Sequence, residues 1–193
     1  MSGTIADPEV LALATSSATL QSEYAPEELE WMGSPFAWIK SRPSRQVGTI
    51  GERLVAEWLA AKGFVVTSSP DSDADRLVNG HRAEIKFSTR WKSGIYKFQQ
   101  LRDQNYAFAI CLGISPFDAH CWVLPKAELR SRWEASISQE HEVEGIQPQH
   151  GGSDGRDTAW LTIDPLSPPA WLSKHGGRLA EAASFLEKNA RRR

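Results

Sequence analysis

The pair Asn79-Gly80, placed between two extended runs, constrains this chain more than any other feature of the sequence. An Asn-Gly pair favours a two-residue β-turn, because both residues accept positive φ angles at low cost. Counting back from that turn places Asp75 opposite Glu84, and directly opposed residues point to the same face of a sheet. Lys86 lies two residues beyond Glu84 and shares its face. The sequence therefore predicts a hairpin that brings Asp75, Glu84 and Lys86 together.

The predicted arrangement favours metal-dependent hydrolysis of a phosphodiester. Two carboxylates that face each other repel, so a purely structural sheet gains nothing from this pair. Carboxylate oxygens suit Mg²⁺ or Mn²⁺, which bind through one or two carboxylates together with water and phosphate. A neighbouring lysine can orient or deprotonate the attacking water. The alternative is a solvated ionic face with Asp75 and Arg82 as a diagonal ion pair. Asp73 is a rival metal ligand, because it lies two residues before Asp75 and would point to the same face of an extended strand.

Charge is distributed unevenly along a chain whose net charge is −2. No Lys or Arg precedes Lys40, whereas seven cations lie between Arg76 and Arg102, with Glu84 as the one acidic residue among them. A second basic run holds Lys40, Arg42 and Arg45. A local basic surface of this kind attracts phosphate even when the total charge is near zero. Simple solvation of charged residues is the alternative explanation.

The hydropathy pattern predicts an α/β fold with a mixed central β-sheet flanked by helices. Apolar residues recur every three or four positions over 46–62, which indicates a helix, and Gly63 is a natural residue to end it. We expect strands at 64–67, 106–114, 119–124 and 158–163, and helices at 34–43, 96–102, 125–133 and 177–190. Residues 7–46 are expected to form short helices broken by prolines, and residues 138–158 a polar loop. The expected organisation is an N-terminal helical segment (1–45), a core (46–135) and a C-terminal part (136–193) packed on the same domain.

Composition limits the cellular setting. No apolar run approaches the roughly 20 residues that span a bilayer, so we expect no membrane partner. The first residues carry no basic segment before an apolar one, so no secretory signal is expected. Two cysteines are too few for a disulfide framework or a Cys-built zinc site. These features predict a cytoplasmic protein.

The series Asp75…Glu84-Ile85-Lys86 resembles the signature of the PD-(D/E)xK nucleases. The resemblance extends upstream to Gly51-Glu52, downstream to the segment FQQLRDQNY (98–106), and covers about 46–125. Together with the segment SPFAWIK (34–40), the chain is most similar to type II restriction endonucleases. The resemblance implies a restriction-endonuclease-like core that uses Mg²⁺, for which Mn²⁺ can substitute, to hydrolyse double-stranded DNA. A repair nuclease or junction resolvase on the same core, and a DNA-binding module without activity, are the alternatives.

The resemblance also implies a role for individual residues. Asp75, Glu84 and Ile85 would bind the metal, Lys86 would serve the attacking water, and Glu52 would assist the metal or its water shell. Near the start of a helix a carboxylate also complements the helix dipole, so Glu52 has a structural explanation as well. The expected DNA contacts are Gln99, Gln100, Arg90, Trp91, Lys92 and Arg102, with Trp91 between two cations as a base-stacking candidate. We expect a homodimer, because two copies cleave both strands of a palindromic site most simply, and a monomer that nicks the strands in succession is the alternative.

Overall fold

The structure, a computed structural model, describes residues 7–151 and 157–190, and of residues 19 and 22–28 it describes the backbone alone. The helices are α1 (Pro8–Trp31), α2 (Ala37–Lys40), α3 (Ser44–Ala61), α4 (Lys126–Gln139) and α5 (Leu179–Asn189), with a 3₁₀ helix at Ala170–His175. The strands are β1 (Val66–Ser68), β2 (Arg76–Val78), β3 (His81–Thr89), β4 (Tyr96–Leu101), β5 (Phe108–Ile114), β6 (Ala119–Pro125), β7 (Ile146–Gln149), β8 (Thr158–Ile163) and β9 (Gly176–Arg178). No helix in these ranges combines the length and apolar character needed to span a lipid bilayer.

A six-stranded mixed sheet lies at the centre, with the strand order β1-β2-β3-β5-β6-β9. β3 and β5 run parallel, and the other neighbouring strands run antiparallel. Alternate residues of β5 divide the core between the two faces of this sheet. Ile110 and Leu112 belong to the cluster that includes residues of α3, whereas Ala109 and Cys111 belong to the cluster that includes residues of β4. The predicted α/β class with a mixed central sheet flanked by helices is confirmed.

A second sheet covers the face opposite α3. It has three antiparallel strands in the order β4-β8-β7. Two glycines allow the layers on either side to approach the central sheet closely. A Cβ atom at Gly51 of α3 would lie 2.2 Å from Cβ of Phe87, and one at Gly113 of β5 would lie 2.6 Å from Cγ of Tyr96 in β4. α3 and β4 therefore both reach the neighbourhood of β3, where they can contribute to one cleft.

The predicted hairpin is present with the predicted register. Asn79 and Gly80 have φ angles of 50° and 86°, as the two-residue turn requires. Leu77 pairs with Arg82, and the ladder ends at the start of β2, where the Asp75 N–H donates to the backbone carbonyl of the residue after Arg82 at 3.1 Å. Asp75 thus lies just outside the strand, next to β3.

The predicted helix at 96–102 is wrong, because these residues form strand β4. Tyr96, Phe98 and Leu101 point into the core, while Gln99 and Gln100 are both exposed. Because two successive residues point outward, the buried and exposed residues do not alternate as in a regular strand. The apolar residues are therefore spaced as they would be in a helix. The pairing with β8, about 60 residues later in the chain, decides the conformation.

Other departures concern the two ends of the chain. The short helices expected over 7–46 are replaced in large part by α1, which is continuous through Pro26 and begins at the Asp7 cap, whose Oδ1 accepts from the Glu9 N–H at 2.8 Å. The helix expected at 34–43 contracts to α2. The loop expected at 138–158 contains β7, and residues 152–156 of it lie outside the described ranges. The helix expected from residue 177 begins at Leu179, after β9. The division into domains stays a prediction.

Candidate functional site

A cleft of about 610 Å³ opens beside β3, at the point where β2 ends. One side is lined by the α2–α3 connection and the first half of α3, and the other by the end of β3, the β3–β4 turn and β4. Seven of the residues to which the sequence assigned a site role line this cleft: Glu52, Asp75, Ile85, Lys86, Trp91, Gln99 and Gln100. The site predicted from the hairpin therefore lies in a cleft that two structural layers build around it.

Asp75 is fixed to the backbone of β3. Its Oδ2 accepts a hydrogen bond from the N–H of Ile85 at 2.6 Å. The N–H and C=O of one strand residue point to the same side of the strand, so the Ile85 carbonyl also points toward Asp75. β2 has already ended at this point, so it offers Ile85 no backbone hydrogen-bond partner. The Asp75 carboxylate and the Ile85 carbonyl, whose oxygens are both possible metal ligands, therefore point toward the same space.

Glu84 lies beneath the cleft rather than in its lining. The residue is 5% exposed, and Lys86 Nζ lies 2.8 Å from its Oε1. Burial raises the pKa of Glu84, the charge of Lys86 lowers it, and the charge of Asp75 raises it further. The net effect is a raised pKa, so the protein without a bound cation disfavours the ionised carboxylate at this position.

Glu52 completes a group of mutually repelling carboxylates. Its pKa is raised by burial and then by the charges of Asp75 and Glu84, while Arg76 and Lys86 lower it. The Arg76 Nη2 atom lies 3.9 Å from Glu52 Oε2, at the edge of ion-pair contact. Glu52 reaches this position because α3 approaches β3 at Gly51, directly before it.

The donor set fits a hard divalent cation held partly by water. Within residues 7–151 and 157–190, no three side chains of His, Cys, Asp or Glu converge as a metal-binding group. At most two carboxylates are thus available to one ion. Mg²⁺ binds in this way, through one or two carboxylates with several waters and phosphate oxygens. Asp75, Glu84 and the Ile85 carbonyl are the residues that would hold it.

Asp73, the rival of Asp75, lies elsewhere. Arg82 Nη1 donates to Asp71 Oδ1 at 2.9 Å, and the same guanidinium lies 3.8 Å from Asp73 Oδ2. Asp73 is not among the residues that line the cleft. The diagonal pair of Asp75 with Arg82, which the solvated-face interpretation requires, is replaced by this contact with Asp71.

The walls of the cleft carry positively charged side chains to which the sequence analysis assigned no site role. Lys40 ends α2, Arg42 lies in the α2–α3 connection, Arg45 lies in the first turn of α3, and Lys97 comes from β4. Lys97 Nζ lies 4.8 Å from the ring centre of Trp91, on the opposite side of the β3–β4 turn. The run from Lys40 to Arg45 was visible as a basic segment, but only the fold shows that it faces the carboxylates.

Three predicted DNA contacts lie outside the cleft lining. Arg90 forms an ion pair with Glu30 of α1. Lys92 is exposed on the β3–β4 turn, and Arg102 follows β4 close enough to Glu84 to lower its pKa. A role for these three residues in DNA binding stays a prediction.

Comparisons with known proteins give likenesses among solved structures alone. No family model matches the chain, and no curated protein matches it. Among solved structures, the bacterial homing endonuclease I-Ssp6803I matches with a TM-score of 0.44 and 14% sequence identity, over 77% of this chain and 95% of that one. A likeness at this level assigns neither a family nor an activity. The function therefore has to be argued from the cleft.

Proposed function

We propose that this protein is a Mg²⁺-dependent endonuclease of double-stranded DNA, and that it acts as a type II restriction enzyme. The observation that carries the proposal is the convergence of Asp75, Glu84 and Lys86 at the base of one cleft. Burying a carboxylate beside a second one is costly for a fold, and Lys86 offsets this cost only in part, because the pKa of Glu84 stays raised despite the ion pair. A divalent cation held by two carboxylates and water can catalyse the hydrolysis of a phosphodiester.

The charge of the cleft favours a polyanionic substrate. Five cations line it, against the two carboxylates Glu52 and Asp75. Four of the five cations lie on the walls, where they would meet phosphates on either side of the bond to be cleaved: Lys40, Arg42, Arg45 and Lys97. Neutralising several phosphates in this way gives affinity for the nucleic acid backbone.

Asp75, Glu84 and Lys86 have different roles in the proposed reaction. A bound Mg²⁺ would supply Lewis-acid stabilisation of the charge on the phosphodiester and lower the pKa of a water molecule. Asp75 is oriented for this by its bond from the Ile85 N–H, and Glu84 by burial and by its contact with Lys86. The Lys86 ammonium lies on the cleft side of Glu84, where it can orient the attacking water and stabilise negative charge at phosphorus.

Digestion of a sequenced plasmid tests the proposal. We expect discrete fragments with Mg²⁺ or Mn²⁺, no cleavage in excess EDTA, and binding without cleavage in Ca²⁺, which activates water poorly. Lys86→Ala serves as the control for a contaminating nuclease. Cleavage that persists in EDTA contradicts metal dependence. Nicking confined to branched DNA would indicate a junction resolvase, and binding without cleavage in any metal would indicate a DNA-binding module.

We further propose that the working unit is a homodimer. Each chain has one Asp75–Glu84–Lys86 site, so one chain hydrolyses one strand at a time. Two copies related by a two-fold axis match the symmetry of a palindromic site. Sedimentation with and without DNA measures the assembly. A monomer under both conditions that still breaks both strands in one encounter contradicts this arrangement.

A further inference from the structure

Strand β4 contains a bulge that changes which side chains face outward. Phe98 pairs with Leu161 and Leu101 pairs with Ala159, so β4 uses one residue more than β8 over this stretch. The extra residue is Gln100, whose φ of 57° is unusual for a residue with a side chain. Without it, the residue at 100 would point inward and the next one outward. The bulge therefore places two glutamines side by side on the outer surface.

The bulge is held at a fixed place relative to the candidate catalytic strand. Phe98 and Leu101 on either side of it are fully buried. Ser88, two residues beyond Lys86 on β3, accepts the Lys97 N–H at 3.0 Å through its Oγ. This hydrogen bond connects β3 to β4 one residue before Phe98. Gln99 and Gln100 consequently line the same cleft as Asp75 and Lys86.

The outer surface of the second sheet is polar and lacks acidic residues. We call it the recognition face, and its members are Lys97, Gln99, Gln100, Gln147, Trp160 and Thr162. Trp160 pairs with Gln147, and Lys97 Nζ lies 5.8 Å from the Trp160 ring centre, so three strands contribute to one surface. Strands β4, β7 and β8 contain four of the chain's eight glutamines and no Asp or Glu. Phosphate meets no repulsion from these strands.

Amide side chains on such a surface have a specific partner in duplex DNA. Glutamine forms two hydrogen bonds with adenine, at N6 and N7, in the major groove, which is wide enough to admit a two-stranded β-ribbon. In the part of the chain that the structure describes, the amides of Gln99 and Gln100 have no hydrogen-bond partner within the protein. β-Bulges such as the one at Gln100 are over-represented next to active sites, where they re-aim a side chain.

We propose that the recognition face lies in the major groove and that Gln99 and Gln100 recognise adenine bases there. The inference rests on the proposed function, because it needs duplex DNA in the adjoining cleft. It differs from a phosphate contact by these glutamines, which would be independent of sequence. β4 and β8 would enter the groove, and the carboxylates at the base of the cleft would meet the backbone beside the recognised bases.

Selection from a pool of random duplexes tests the proposal on the full chain, with Ca²⁺ replacing Mg²⁺ so that binding is measured without cleavage. We expect the wild-type protein to select a motif with at least one A·T pair. Gln99→Ala and Gln100→Gly should each relax the preference at an A·T position by roughly 5- to 150-fold. Glycine accepts the φ of residue 100, so Gln100→Gly removes the amide and leaves the bulge in place.

Gln139→Ala is the matched control, because Gln139 is exposed at the end of α4 and lies outside the cleft lining. It should select the wild-type motif. Replacing the selected adenine by 7-deazaadenine, which lacks the N7 acceptor, should weaken binding of the wild type and leave the relaxed variant unaffected.

Three outcomes overturn base recognition while leaving endonuclease activity intact. The first is a selected motif that neither glutamine substitution changes, and the second is an equal loss of affinity for all duplexes, as expected of phosphate contacts. The third is a protein that binds and cleaves DNA without any sequence preference. A protein that binds no DNA contradicts the proposed function itself.

Discussion

The base and the walls of the cleft differ in which side chains they hold and in how firmly those side chains are fixed. At the base, carboxylates are fixed by burial and by backbone hydrogen bonds, as Glu84 and Asp75 show. On the walls, cations and amides are half-buried or exposed. The first region is arranged for a reaction at one point, and the second for contact with an extended substrate. Substitutions in the two regions should therefore separate catalysis from binding.

The largest effect is expected at the carboxylate region. Glu84→Ala, Asp75→Ala and Lys86→Ala should each lower the cleavage rate on the order of 10³-fold or more, because each removes a group that acts at the reacting phosphate. DNA affinity in Ca²⁺ should change far less. Single-turnover cleavage and a binding assay on the same preparations measure both quantities.

Asp75→Asn is the matched variant for this prediction. The amide oxygen can still accept the Ile85 N–H, so the local structure is kept while the charge is lost. We expect it to be as inactive as Asp75→Ala. Full activity of Glu84→Ala would refute the assignment of the site.

The same comparison separates what sequence reasoning could predict from what it could not. The Asn79-Gly80 turn fixes the hairpin register within about ten residues, so the proximity of Asp75 to Glu84 follows from local rules. The wall formed by β4 depends on pairing with β8, and the bulge at Gln100 disguises the alternation of the strand. No local pattern shows that the run from Lys40 to Arg45 faces the carboxylates. That information is in the packing of α3 against β3.

A smaller effect is expected from the basic wall. Arg45→Gln should weaken binding several-fold for all duplexes, lower the salt dependence of binding by about one counterion, and leave the single-turnover rate at saturation nearly unchanged. Arg53→Gln is the matched control, since Arg53 lies on the same helix, pairs with Glu57 at 3.7 Å and does not line the cleft. A strong loss of the single-turnover cleavage rate at saturating DNA in Arg45→Gln would show that the basic wall contributes to catalysis as well as to binding.

An effect on stability that is smaller again should be measurable at Glu84 without any substrate. Because the pKa of Glu84 is raised in the folded protein, its ionisation costs stability above that pKa. The folded protein binds the proton more tightly than the unfolded chain, so this cost disappears as the pH falls toward the ordinary carboxyl pKa. Without metal, Glu84→Gln should have a higher melting temperature than the wild type at neutral pH, and the difference should shrink on acidification. An unchanged or widening difference at low pH contradicts the raised pKa.

The smallest effect should come from Asp73, which shares the parity of Asp75 but not its place in the cleft. Asp73 lies 3.8 Å from an Arg82 guanidinium that keeps its hydrogen bonds to Asp71 after the substitution. Exposed ion pairs of this kind contribute about 0–1 kcal/mol to stability. Asp73→Ala should thus cleave within about twofold of the wild-type rate, since the pair acts on neither substrate nor metal. Paired digests of Asp73→Ala and Asp75→Ala make the comparison direct. Loss of cleavage in the first with activity in the second would mean that the metal ligand lies two residues earlier and that the bond from the Ile85 N–H to Asp75 is structural.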